Sequence, residues 1–177
     1  PCLGIRAGDE LILARFFLEK IAENYNVRIS YLPKPFNNQN GSGCHINFST
    51  NKMRSEDGIK IIKSCMLKLE KRITEHLSVY GNDNNKRLTG EHETSSIDTF
   101  SWGIGTRNTS IRIGTQTEKD GYGYFEDRRP AANIDPYSAT CVIFETCCMQ
   151  EIMEANDKTE LPIVNNINTS LSKFFSV

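Results

Sequence analysis

The sequence predicts an α+β domain, and three observations predict it. Apolar residues recur at helical spacing in long segments, short runs alternate apolar with polar residues, and Gly/Asn-rich connections separate the two. Helices are expected near residues 9–25, 56–80 and 136–154, and strands over 27–33, 44–50 and 109–114.

Asp9 is placed to cap the first helix, which carries Leu13, Phe16, Phe17 and Ile21 on one face and runs to about Tyr25. "VRISYLP" follows as a strand that stops at Pro33, and "NNQNGSG" as a loop, because Gly and Asn tolerate positive φ. The stretch "CHINFST" alternates: Cys44, Ile46 and Phe48 share one face, while His45, Asn47 and Ser49 make the other face polar. Ser55 is placed to cap the longest helix, whose stripe is Ile59, Ile62, Met66, Leu69, Ile73 and Leu77, with Gly81 just past its end. Residues 82–101 read as polar loop. "TSIRIG" then puts Arg112 between two isoleucines on the opposite face of a strand. Asp135-Pro136 is a cap and first-turn pair opening a last helix to about Ala155, and a polar tail occupies 156–177.

The chain has 177 residues, enough for one ordinary domain with a core, here expected over 1–155. Its 21 basic and 22 acidic residues give no global field, and no Lys/Arg stripe marks a nucleic-acid partner. No apolar run approaches the roughly 18 residues of a membrane helix. The six cysteines lack the paired spacing of zinc sites and read as reduced and structural, with Cys65, Cys141 and Cys148 on buried helical positions; this suits a cytoplasmic protein. The sequons at Asn47, Asn108 and Asn168 are expected by chance in an Asn-rich chain.

The chemistry concentrates between residues 87 and 129. Arg87, Glu93, Arg107, Arg112, Glu126, Arg128 and Arg129 lie there among Gly, Thr and Ser. Guanidinium forks bind carboxylates and phosphates bidentately and stay charged. His45 and Glu126 are candidate ligands for a divalent metal that would offset phosphate charge. The competing explanation is that Glu126-Asp127-Arg128-Arg129 forms solvated ion pairs of little energetic weight and that His45 is a structural histidine.

The motifs "NGSGCHINFST", "RLTGEHETSSI", "GTRNTSIRI" and "GYGYFEDRRPAANIDPY", in that order, resemble successive motifs of the eukaryotic-type glutamine synthetases. "PCLGIRAGDELILARFFLEKIAENY" resembles the helix that precedes them, and the likeness extends to about residue 150. The resemblance implies a curved, mainly antiparallel sheet backed by helices. It also implies ATP-dependent ligation of ammonia to L-glutamate through γ-glutamyl phosphate, with Mg²⁺ or Mn²⁺.

By position in those motifs, His45 and Glu126 correspond to metal ligands, and Asn40, Gly41, Arg87 and Arg128 to glutamate contacts. Asn47, Ser49, Arg107 and Arg112 correspond to contacts with ATP. Glu93 matches a mobile flap carboxylate that helps deprotonate ammonium, and Arg129 a further stabiliser of transferring charge, alongside Arg107. The family departs here at three places: Gln39 for a tryptophan, Thr106 for an asparagine, and Gly114-Thr115 for Pro-Arg.

The resemblance further implies a homo-oligomer, a decamer of two pentameric rings, with each site shared between neighbouring subunits. It places an N-terminal β-grasp domain and further metal carboxylates upstream of Pro1, so that this chain carries about half of a site and is inactive alone. Two other readings stand beside it: a catalytically inactive structural or regulatory relative, or an ATP-dependent carboxylate–amine ligase using another acid or amine. The intact set His45, Arg87, Glu93, Arg107, Arg112, Glu126 and Arg128 favours an enzyme over a structural relative, and the "TGEHETS" flap with the Arg87/Arg128 pair favours glutamate as the acid.

Overall fold

Among the described residues four three-residue strands make one sheet. They are β1 (Ile46–Phe48), β2 (Trp102–Ile104), β3 (Ile111–Ile113) and β4 (Phe125–Asp127), arranged β1-β4-β3-β2. β4 runs antiparallel to both β1 and β3, and β2 runs parallel to β3, so the sheet is mixed and mainly antiparallel, within an α+β fold. The computed structural model describes residues 1–149, and Pro1–Cys147 form one compact unit. The expected tail of 156–177 and the expected end of the last helix lie outside the described residues.

Register decides what each face of the sheet carries. Asn47 and Arg112 both stand opposite Glu126, while Ile46 and Ile111 stand opposite Asp127, and Phe48 and Ile113 opposite Phe125. Residues facing each other across a ladder share a side. One face is therefore Asn47, Glu126 and Arg112, and the other is apolar except for Asp127. The apolar face is the core: Ile111, Ile113 and Phe125 are fully buried with Met53, Ile62, Leu69, Tyr80 and Ile143, and the Phe48 and Phe125 rings meet at 5.5 Å.

The described residues also form five α-helices: α1 (Arg6–Asn24), α2 (Gly58–Lys71), α3 (Ile73–Val79), α4 (Thr115–Asp120) and α5 (Pro136–Phe144). α1 and α3 both pack against α5. The α5 start is as expected, with the Asp135 carboxylate accepting from Ser138 N at 2.7 Å and Pro136 in the first turn. A π-helical turn, Glu145–Met149, continues it.

Several local expectations are corrected. Asp9 does not cap α1, which starts earlier at Arg6; the Asp9 carboxylate accepts the Tyr137 hydroxyl instead, tying α1 to α5 at 2.7 Å. The stripe Leu13, Phe16, Phe17 and Ile21 stands about half exposed rather than buried. "VRISYLP" forms no strand, because none of its backbone groups finds a ladder partner among the described residues. The expected 56–80 helix is two helices that break at Arg72, with ψ +26°. Nor does Ser55 cap it, since its hydroxyl donates back to Lys52 O at 2.8 Å. α2 begins only at Gly58, where the backbone passes so close to Met53 that a Cβ would lie 2.1 Å from its carbonyl oxygen. β2 and α4 were not anticipated. No cysteine is disulfide-bonded; Cys65 is buried as expected, but Cys141 is exposed and Cys148 half-buried.

Candidate active site

The polar face of β4 gathers most of the expected residues. His45 Nδ1 meets Glu126 Oε1 at 2.9 Å, Arg128 NH1 reaches the same oxygen at 3.2 Å, and Arg112 Nε lies 2.5 Å from Oε2. Glu126 is thus a nearly buried carboxylate shared among three basic side chains. Its Oε2 is paired in charge with Arg112 but accepts no aligned hydrogen bond. Burial, helped by the nearby Arg128 charge, holds the His45 pKa below the usual histidine range despite the opposing pull of Glu126. A neutral imidazole whose Nδ1–H donates to Glu126 leaves its lone pair on Nε2. Gly43 keeps that atom accessible, since a Cβ there would sit 2.7 Å from it.

Arg128 is a cross-tie. Besides Glu126 it donates from Nε to Arg107 O at 3.2 Å and from NH2 to Glu93 O at 3.1 Å, joining the sheet to two loops. Glu93 and Arg107 also pair through their side chains at 3.1 Å, both well exposed. His92 and Glu93 have φ of +52° and +61°, left-handed values that non-glycine residues adopt at a cost. The expected flap carboxylate therefore stands on a strained, solvent-facing turn, held by one surface ion pair and one backbone contact.

Arg87 is buried, and its NH2 donates to the carbonyls of Arg128, Arg129 and Pro130 at 3.1, 2.6 and 3.1 Å. Its NH1 lies beside Gly43, where a Cβ would come within 3.1 Å of it. Burial, and then the Arg128 charge, lower its pKa to about 10. Gly41 packs on its stem, where a Cβ would lie 2.4 Å from Arg87 Cγ, and backbone bonds from Cys44 to Pro130 and from Ala132 to Ser42 lace this loop to the same segment. Asn40 is exposed beside it.

Asn47 and Arg112 line a polar cavity of about 360 Å³ with Glu126, Tyr124, Gly105, Gly114 and Thr115. Ser49 is displaced from that group, since its hydroxyl accepts from Arg54 Nε at 2.7 Å and it borders a larger, mostly apolar cavity of about 1100 Å³. Arg129 is the clear exception to the expected set. It is 2% exposed, points into the core, and is bound bidentately to Asp127 between the rings of Tyr80 and Phe100. The alternation of β4 continues past its end and puts Arg129 on the face opposite Arg128, pointing away from Glu126.

Tyr124 was missed, although it stands two residues before Glu126 and so on the same strand face. That alternation was the available signal. Asn84 was missed too; its side chain ties Tyr80 O to Arg129 O at 3.0 and 2.8 Å, and nothing in its polar loop sequence marks it.

The donor set suits a hard divalent cation in part. Glu126 has an oxygen with no aligned hydrogen bond, and its contact with His45 Nδ1 leaves Nε2 of that ring available; Mg²⁺ commonly takes one or two protein ligands with phosphate oxygens and water completing six. Among the described residues no group of three His, Cys, Asp or Glu side chains could hold a metal. Nor is any helix among them long and apolar enough to cross a membrane.

Residues 2–160 match the family of the glutamine synthetase catalytic domain. A relative from Acanthamoeba polyphaga mimivirus is 58% identical over 149 residues, which are 84% of this chain and 42% of that protein. The glutamine synthetase of Saccharomyces cerevisiae is 52% identical over 149 residues, covering 84% of this chain and 40% of its own length. The chain thus spans about two-fifths of the curated relatives it matches. Among solved structures, that of Plasmodium falciparum glutamine synthetase superposes with a TM-score of 0.61 at 20% identity, over 88% of this chain and 31% of that one, a likeness of fold. The chain belongs to the glutamine synthetase catalytic-domain family.

Proposed function

We propose that this chain supplies part of an active site that joins ammonia to L-glutamate at the expense of ATP. The observation that carries the proposal is the row Asn47–Glu126–Arg112 across the sheet, flanked by His45 and Arg128. It combines a metal-competent pair of donors with guanidinium groups beside a polar cavity. Arg87, Arg107, Arg112 and Arg128 outnumber Glu93 and Glu126 there, so the site has an excess of positive charge suited to anions.

In this reading His45 Nε2 and Glu126 would hold Mg²⁺ or Mn²⁺, which when bound neutralises phosphate charge. Asn47, Arg112 and Tyr124 border the nucleotide, and Arg107 with Arg112 stabilises the transferring phosphoryl group by preorganised charge. Arg128 and the NH1 of Arg87 face the glutamate carboxylates near Asn40 and Gly41. Glu93 swings from Arg107 to take a proton from ammonium once γ-glutamyl phosphate has formed. Ser49 joins the nucleotide set only if Arg54 releases it. The complete enzyme is a cytosolic homo-oligomer, a decamer of two pentameric rings.

The test is a coupled assay of a protein that unites this chain with the remaining length of its relatives. Phosphate release should require glutamate, ATP, divalent metal, and ammonia or hydroxylamine together, and Glu126→Ala should remove it. The 177-residue chain alone should bind nucleotide weakly and turn over nothing. Robust glutamine formation by the chain alone, or activity indifferent to Glu126, would show that the site lies elsewhere.

A further inference from the structure

Tyr80 touches three alternate residues on the buried side of the β4 segment. Its hydroxyl donates to Asp127 Oδ2 at 2.7 Å, its ring centroid lies 5.2 Å from the Arg129 guanidinium carbon, and its carbonyl accepts from Ala131 N at 3.0 Å. Interleaved with them on the other side are Glu126 and Arg128. Asp127 is fully buried, and it also accepts from Arg129 N, Nε and NH2 at 3.0, 2.9 and 2.7 Å. Apolar side chains would fill this space at no desolvation cost. What the charged pair adds is direction, since each donor fixes one lone pair of Asp127.

The chain of hydrogen bonds continues outward. His76 Nδ1 meets the Tyr80 oxygen at 2.7 Å, His76 Nε2 meets Thr146 Oγ1 at 2.8 Å, and Thr146 Oγ1 accepts from Arg72 NH1 at 2.9 Å. A carboxylate only accepts, so the Tyr80 hydroxyl donates to Asp127; a guanidinium only donates, so Thr146 Oγ1 accepts from Arg72 while its own proton goes to Val142 O at 2.8 Å. The contacts link Arg72, Thr146, His76, Tyr80 and Asp127 in one buried row. His76 bridges the two ends in either neutral tautomer: with the proton on Nδ1 it donates to the Tyr80 oxygen, and with the proton on Nε2 it donates to Thr146 and leaves Nδ1 to accept from Arg129 NH2 at 3.5 Å. Burial first, then the charge of Arg129, lower the His76 pKa to about 4.

We propose that His76 and Tyr80 are positioning residues of the candidate site. They hold Asp127 and, through the alternation of β4, set the working geometry of Glu126 and Arg128 on the opposite face. The proposal rests on the reading of Glu126 and Arg128 as site residues, but its test reads their geometry and not turnover, so the two can fail separately.

Nitrogen NMR of the 177-residue chain reads the guanidinium Nε–H signals of Arg128 and Arg15 side by side. Tyr80→Phe keeps the ring and removes one oxygen. It should speed solvent exchange of the Arg128 Nε–H about tenfold, leaving unchanged the guanidinium signals of Arg15, which is anchored on Ala132 O and Ile134 O at 2.6 and 3.0 Å. If Tyr80→Phe does not fold, His76→Gln, one bond further from Asp127, must produce the same selective change. An unaltered Arg128 signal, or equal changes at Arg128 and Arg15, would reduce Tyr80 to core packing and overturn the assignment.

Discussion

Glu126 and Arg128 face the candidate site, while their immediate neighbours Asp127 and Arg129 face the core, and all four are largely withdrawn from water. The partners differ. On the core side the pair is closed: two guanidinium nitrogens grip the two oxygens of one carboxylate, and aromatic rings cover the rest. On the site side every group is shared, Glu126 among three basic side chains and Arg128 among three acceptors from separate segments. Shared partners can be exchanged for a ligand one at a time. Closed ones cannot without leaving a buried charge alone. The same two residue types thus serve as scaffold or as site according to how many partners each has.

The largest expected effect is on the closed side. Asp127→Ala strands the buried Arg129 charge and should cost about 3–5 kcal/mol in urea denaturation. Glu126→Gln should cost less than half of that, because Arg128 keeps two carbonyl acceptors and Arg112 remains partly open to water. Equal costs for the two would break the comparison.

Next is the response to acid. His76 is fully buried beside Arg129, Arg72 and Asp127, and its folded pKa is about 4. Because that value is depressed, the unfolded chain takes up the proton first. This contribution should therefore be flat above about pH 6.5 and destabilise progressively as pH falls toward 4, by about 3 kcal/mol in all. Thermal midpoints followed from pH 7 to pH 4 measure it, and His76→Gln should flatten this part of the profile.

The smallest effect on stability belongs to the outermost site residue. Glu93 and Arg107 form an exposed pair, and Glu93→Ala should change stability by no more than about 0.5 kcal/mol. In the assembled enzyme the same substitution should leave nucleotide binding intact and slow the ammonia-dependent step about 10²–10⁴-fold. A large loss of stability would mean that Glu93 belongs with the scaffold.

Much of this site was legible because strand alternation and motif order speak to the same residues. His45 and Asn47 on one face of a run with Ile46 and Phe48 on the other could be read directly. Arg129 could not. Four adjacent charges read as one cluster, and only the observed register divides them between two faces. "VRISYLP" has strand composition, but composition does not supply a partner. The helix over 56–80 has continuous periodicity, yet the close approach of Gly58 to Met53 and the turn at Arg72 are tertiary facts. Tyr80 and His76 sat in a helical stretch as unremarked residues, because their role depends on Asp127, 47 positions beyond Tyr80.

The alternation of β4 also governs which kinds of genetic change this protein can tolerate. A substitution at any one of residues 126–129 alters one side chain and leaves the others on their own faces. Deleting or inserting a single residue just before them, by contrast, would rotate the whole segment. An insertion would push Arg128 into the ring-lined slot of Arg129, and a deletion would bring Asp127 to His45 and Arg112. The charge count would stay the same, and both pocket and core would lose their partners at once. Length variation should therefore be borne by the loops on either side, and the spacing from Tyr124 to Ala131 should behave as a fixed unit even where individual letters within it change.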